Sequence, residues 1–184
     1  MQLLNRVSAG RIAVIAATVA FSTGLLFLGA PVAQGIGGLC NGEPASRTWI
    51  DASGQPGPAT IEGTNGDDTI VGSDGDDVID ARGGDDYVCG GPGNDDINGG
   101  SGHDVVIGDS GDDDLNGGPG VDTVAGGLGN DTVAGGGGED NLYGGPGDDF
   151  LIGNDDQSSD RIGGDDGVDL CYFSAGDEVE DCEY

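Results

Sequence analysis

Between Gly63 and Ile152 an aliphatic residue returns at every ninth position: Ile70, Ile79, Val88, Ile97, Val106, Leu115, Val124, Val133, Leu142 and Leu151. Neither the 3.6-residue period of a helix nor the simple alternation of an ordinary strand gives that spacing. Framed on Gly63, nine-residue units follow one another without a gap. Every unit has Gly at its fourth position and Asp at its sixth, and only the third, with Ala81, lacks Gly at its first. Glycines at positions one, two and four supply φ > 0, so the first six residues are predicted to form a tight turn. The last three carry the aliphatic residue between Thr, Val, Asp or Asn neighbours, which predicts a very short strand with one inward side chain.

Such a unit buries nothing alone and has to stack. With two units per coil, unit n lies beside unit n+2 at a strand spacing of about 4.8 Å, and the aliphatic residues form one seam between two parallel sheets. The sixth-position aspartates then fall into two columns along the turn edges. Asp68, Asp86, Asp104, Asp122 and Asp140 make one, and Asp77, Asp95, Asp113, Asp131 and Asp149 make the other. Carboxylates at that spacing repel unless a counter-charge lies between them. A hard, oxygen-seeking cation would neutralise them and bind turn carbonyls as well. Calcium suits better than magnesium, because it accepts six to eight oxygens in flexible geometry.

Composition alone would suggest disorder, and the period overrides it. The chain has 184 residues, of which 41 are Gly; 35 are Asp or Glu against five Arg and no Lys, for a net charge of −30, and aromatic residues are 5%. Such a surface repels phosphate, so neither nucleic acid nor an anionic membrane is an expected partner. Near the N-terminus, Arg6 and Arg11 precede an uncharged apolar run from Ile12 to Leu28 and the small-residue stretch Gly29 to Gly35. Residues 1–35 therefore read as a secretory signal peptide, with an uncleaved membrane anchor as the alternative. The remainder keeps three arginines against all the acids and four cysteines, Cys40, Cys89, Cys171 and Cys182. In an exported chain these read as two disulfides. Zinc is disfavoured, since there is no CxxC and the single histidine is His103.

The units GGPGNDDIN, GGPGVDTVA, GGLGNDTVA and their neighbours resemble the nonapeptide GGxGxDxUx of the RTX, or hemolysin-type, calcium-binding repeats. The resemblance implies an all-β fold, a right-handed parallel β-roll. Calcium would sit between the turns of units n and n+2, bound by the ten sixth-position aspartates above and by backbone carbonyls, with about eight ions in the regular part. Arg82 and Asp109 depart from the pattern at position two, beside Ala81 at position one. The expected organisation is a signal peptide (1–35), a short lead-in (36–62), ten repeats (63–152), and a degenerate, stapled C-terminal cap (153–184). In that cap, two extra residues precede Asp160 and Ile162, residues 154–159 read as a bulged turn, and a last imperfect unit places Asp169 at position six and Cys171 at position eight. A Cys171–Cys182 bridge would close the open end of the roll, and Cys40 would pair with Cys89.

An enzyme is not expected. Residues 34–62 are too few for a catalytic domain, and His103 occupies a variable turn position without an orienting partner. The expected function is an exported, monomeric, secreted or cell-surface calcium-binding protein that folds on meeting calcium outside the cell. A calcium-dependent adhesion or structural module presenting its sheet faces is the alternative. The sequence names no macromolecular partner, and the sheet faces are expected to be solvated.

Overall fold

The computed structural model describes residues 48–51, 57–153 and 158–183. Residues 1–35, Cys40 and most of the lead-in lie outside the described residues, as do four positions of the expected bulged turn. The chain winds into two parallel sheets that face each other. One contains β1 (Thr48–Asp51), β3 (Asp68–Val71), β5 (Tyr87–Pro92), β7 (Val105–Ser110), β9 (Thr123–Leu128), β11 (Asn141–Tyr143), β13 (Arg161–Gly163) and β15 (Glu178–Glu180). The other contains β2 (Thr60–Glu62), β4 (Val78–Asp80), β6 (Asp96–Asn98), β8 (Asp114–Pro119), β10 (Thr132–Gly137), β12 (Phe150–Ile152) and β14 (Leu170–Tyr172). Odd strands pair only with odd and even only with even, which is the n to n+2 stacking that a two-unit coil demands.

The register keeps each inward residue above its equivalent one coil earlier, as in Ile70↔Val88, Val88↔Val106 and Leu115↔Val133. All ten position-eight residues are at most 1% exposed and form one continuous cluster. A single aliphatic residue per unit suffices because each is covered by its neighbours along the sheet and by the facing sheet. Glycine is required where coils approach most closely. Gly102 has φ 142°, and a Cβ there would strike the carbonyl oxygen of Gly84 in the preceding coil.

The sheets extend past both ends of the regular frame. Ile50 pairs with Ile70 and Ile61 with Ile79, so strands β1 and β2 precede the first Gly63 unit. At the other end the two extra residues are absorbed outside the sheet, because Leu142 pairs with Ile162 and the register resumes. Cys171 takes the inward place opposite Leu151 and is bonded to Cys182, with a Cα–Cα distance of 5.9 Å. The tail adds β15, whose Val179 pairs with Ile162 and packs on the core. Cys89 is also disulfide-bonded; Cys40, its expected partner, lies outside the described residues.

The sheet faces are less uniformly solvated than the sequence suggested. On the eight-stranded sheet Thr69, Cys89 and Ile107, at the outward positions seven and nine, are buried, and Cys89 is disulfide-bonded. Arg82, at φ 77°, turns away from the aspartate column and pairs with Glu62 at 2.7 Å, while Ala81 fits buried at position one.

Candidate metal centre

Every one of the ten predicted aspartates is brought into its column, and every one is buried, with exposures from 0% to 3%. Two further residues join them. Asp160 and Asp169, each 1% exposed, continue the columns beyond the ten predicted positions. The sequence sets Asp160 in a restored Asp-x-Ile pattern and Asp169 at position six of an imperfect unit, after steps of twenty residues instead of eighteen, and neither was among the expected ligands.

Successive members are linked by the same bond. The backbone N–H of each aspartate donates to Oδ1 of the next one in its column, for example Asp77 to Asp95, Asp95 to Asp113 and Asp113 to Asp131, all at 2.8 Å. The step across the insertion, Asp140 to Asp160, is 2.9 Å, as is Asp149 to Asp169. Both columns end on the tail: Asp160 donates to Asp177 Oδ1 (3.1 Å), and Asp169 to Glu183 Oε2 (2.8 Å). Thus the tail supplies a terminal carboxylate to each edge as well as a disulfide.

Position five carries a second chain of bonds running the opposite way. Its side chain accepts from the position-five N–H of the following coil: Asp76 from Asn94, Asn94 from Asp112, Asp112 from Asn130 and Asn130 from Asp148, at 2.8–3.0 Å. His103 belongs to this chain, accepting from the Val121 N–H at Nδ1 (3.0 Å). The sequence reading took position five as variable and missed this role. Alternation of Asp, Asn and His, all short-range acceptors, was the clue.

The second carboxylate oxygen is where the chemistry lies. Oδ2 of Asp95, Asp113, Asp122, Asp131, Asp149 and Asp169 is buried and has no hydrogen-bond partner. It packs against the position-one glycine of its own turn; a Cβ on Gly117 would lie 2.7 Å from Asp122 Oδ2. Burial pushes Asp95, Asp113 and Asp122 up to about 7 and Asp131 to about 6, partly offset by the N–H each accepts and reinforced by the negative charges of column neighbours. Asp149 is raised for the same reasons.

Buried anionic oxygens without donors fit a hard divalent cation. Among the described residues no three His, Cys, Asp or Glu side chains gather as a self-sufficient metal cage. An ion here would take one carboxylate from each of two coils and complete its shell with other oxygens. That is a donor set calcium accepts and zinc does not favour.

In the first two units the arrangement changes. The N–H of Thr64 donates to Asp68 Oδ2 and that of Ser73 to Asp77 Oδ2, both at 2.5 Å. These two predicted site residues are therefore in their columns, but with both oxygens engaged by the protein.

A protein-family model described as RTX calcium-binding nonapeptide repeat (four copies) matches at residues 54–88, 62–97, 90–124, 117–151 and 125–159. No curated protein matches the chain.

Proposed function

The chain belongs to the RTX calcium-binding nonapeptide-repeat family, and from that premise we propose that it is an exported protein whose roll takes up calcium between stacked turns and folds as it does so. The observation that carries this reading is the set of buried Oδ2 atoms with no donor on Asp95, Asp113, Asp122, Asp131, Asp149 and Asp169. The proposed ligands are Asp86, Asp104, Asp122, Asp140 and Asp160 on one edge and Asp95, Asp113, Asp131, Asp149 and Asp169 on the other. Each edge then has four gaps, for about eight ions, the number expected from the repeats but displaced one coil toward the C-terminus. The chain's own contribution is to place one carboxylate of each pair on adjacent coils, to hold Oδ1 by a backbone N–H, and to exclude water from Oδ2.

Export is supported by the Arg6/Arg11–apolar run–small residue order and by the Cys171–Cys182 bridge, which belongs to an oxidising compartment. Calcium is scarce in cytosol and abundant outside, so the chain would stay unfolded for export and fold on arrival. The reading is that of a binding module. His103, the only histidine, is engaged in the position-five chain of bonds. The test is equilibrium dialysis of the secreted chain against calcium, with magnesium in parallel. Uptake of about eight calcium ions and little magnesium is expected, and no calcium uptake would defeat the reading.

One observation favours a second reading, calcium-dependent contact with a partner. Leu170, Tyr172 and Phe173 are exposed at the C-terminal end of the seven-stranded sheet, where Tyr172 meets Phe150 edge-on at 5.5 Å. Calcium-dependent retention on cells by the native chain, lost in Tyr172→Ser, would support it.

A further inference from the structure

The turns are not all alike, and the difference lies at position two. In the turns of Asp131 and Asp149 that position is Gly127 (φ 116°) and Gly145 (φ 105°). Their N–H groups point along the roll to the carbonyls of Gly144 and Gly164, at 3.0 and 3.2 Å. The Oδ2 atoms of Asp131 and Asp149 are left without a donor. In the first two units position two is Thr64 and Ser73, neither of which has a positive φ. A β-branched residue pays heavily to enter that region and serine gains nothing by it. With φ on the ordinary side the N–H swings back into its own turn and donates to Oδ2 at 2.5 Å, in Asp68 and in Asp77. The tail repeats the device, Ser174 N–H donating to Asp177 Oδ2 at 2.5 Å.

The hydroxyls complete the closure. Ser73 Oγ lies 2.8 Å from the Gly57 carbonyl of the preceding coil and 2.7 Å from Asp77 Oδ1, so its proton ties two coils together at the edge. Thr64 Oγ1 stands 3.1 Å from the Gly66 carbonyl and 3.2 Å from Asp68 Oδ1. The backbone N–H thus satisfies the Oδ2 that interior turns leave open, while the hydroxyl lies against Oδ1.

We propose that Thr64 and Ser73 make their coil, the first of the regular repeats, independent of metal, so that Asp68 and Asp77 are structural acceptors, and that position two decides turn by turn whether the roll takes a calcium ion. This rests on the reading that interior turns bind calcium. The N-terminal end thereby becomes a metal-free cap, already bonded within itself, on which calcium-loaded coils stack. The Ser174–Asp177 turn closes the opposite end in the same way. Solenoids need such ends, since a terminal coil has a neighbour on one side only.

The test is calcium stoichiometry of the full secreted chain, by equilibrium dialysis with atomic absorption. Asp77→Asn keeps the Oδ1 acceptor for Ala59 N–H (2.5 Å) and removes the charge together with the Oδ2 acceptor of Ser73 N–H, and the expected result is a less stable coil with an unchanged ion count. Asp113→Asn, with the same chemical change in an interior turn, is expected to lose about one or two ions, because Asp113 faces two gaps. Ser73→Gly is expected to gain about one, by freeing Asp77 Oδ2. Loss of one ion or more in Asp77→Asn would overturn the proposal. A native chain that takes up no calcium would instead refute the general reading on which it stands. Should Ser73→Gly fold poorly, the Asp77 and Asp113 pair decides the matter alone.

Discussion

Chelation should unfold the roll at pH 7.5, and the size of the effect can be worked from individual oxygens. Asp95, Asp113, Asp122, Asp131, Asp149 and Asp169 each bury an Oδ2 without a hydrogen-bond partner. Leaving a buried polar atom unsatisfied costs about 1–3 kcal/mol, and more when it is charged. The six therefore cost on the order of 6–18 kcal/mol unless a cation replaces the lost water. A domain's whole stability is about 5–15 kcal/mol, so the calcium-free roll is expected to be unstable where the carboxylates are ionised. The remaining core does not offset this, since each unit contributes a single inward aliphatic residue such as Val124 or Leu142. The assay is far-ultraviolet circular dichroism with thermal melting, in excess calcium and in excess EGTA. A β spectrum lost in EGTA and restored by calcium is expected. An unchanged spectrum and melting temperature in EGTA would refute the argument, because the orphan oxygens would then be tolerated without any ion.

Other outcomes follow from the same geometry. Burial raises Asp95, Asp113 and Asp122 to about 7 and Asp131 to about 6, from an ordinary 3.8, so the calcium-free fold binds more protons than the unfolded chain between about pH 4 and 7. Its stability is then fullest below about pH 4 and is lost as pH rises through 7. Melts of the chelated chain should show more β structure at pH 4.5 than at pH 7.5, and equal melts would count against the assigned burial effect. At position five, Asp112→Asn should be nearly silent and Asp112→Ala should cost about 1 kcal/mol, through the 2.8 Å bond from Asn130 N–H. Denaturant titration in calcium distinguishes the two. Cys182→Ser opens an eleven-residue loop and should cost about 3 kcal/mol in the loop-entropy picture. Hydrogen exchange should rise at β15 and leave β7 and β9 protected; uniform loss of protection would show that the staple acts on the whole roll.

The core was legible because the inward residue is aliphatic in every unit; Ile70, Leu115 and Leu151 sit at 0% exposure as their spacing requires. The coil pairing was legible too, since a three-residue strand buries its face only by stacking. Both ends of the roll were harder. The segment at β2 has Ala59 where its neighbours have Asp, and β13 follows a step of twenty residues, yet backbone pairing carries both into the sheets. A fixed frame sees identities, while a sheet needs only an inward apolar side chain and a free edge. The closure of the Asp68 and Asp77 turns was not legible, because it depends on the direction of one N–H. That direction follows φ at position two, and Arg82 and Asp109 take the positive value without being glycine.

Comparison of positions five and six says why the columns are made of aspartate. At both, a side-chain oxygen accepts a backbone N–H from an adjacent coil. Position five does this with Asp76, Asn94, Asp112 and Asn130 in turn, at 2.8–3.0 Å, so the bond itself does not require a carboxylate. Beyond the first two units, where Asp68 and Asp77 use both oxygens as acceptors, position six makes a bond of the same length and uses Asp in every unit from Asp86 to Asp149 and again at Asp160 and Asp169. Asparagine would keep the accepting oxygen and would replace the buried, repelling charge with a neutral amide, which in a metal-free roll would be the more stable choice. Its exclusion within one chain, where the neighbouring position admits it freely, points to the second oxygen and its charge as the feature retained. A charge held at that cost, beside like charges one coil away, has a physical use only when a cation is there to meet it.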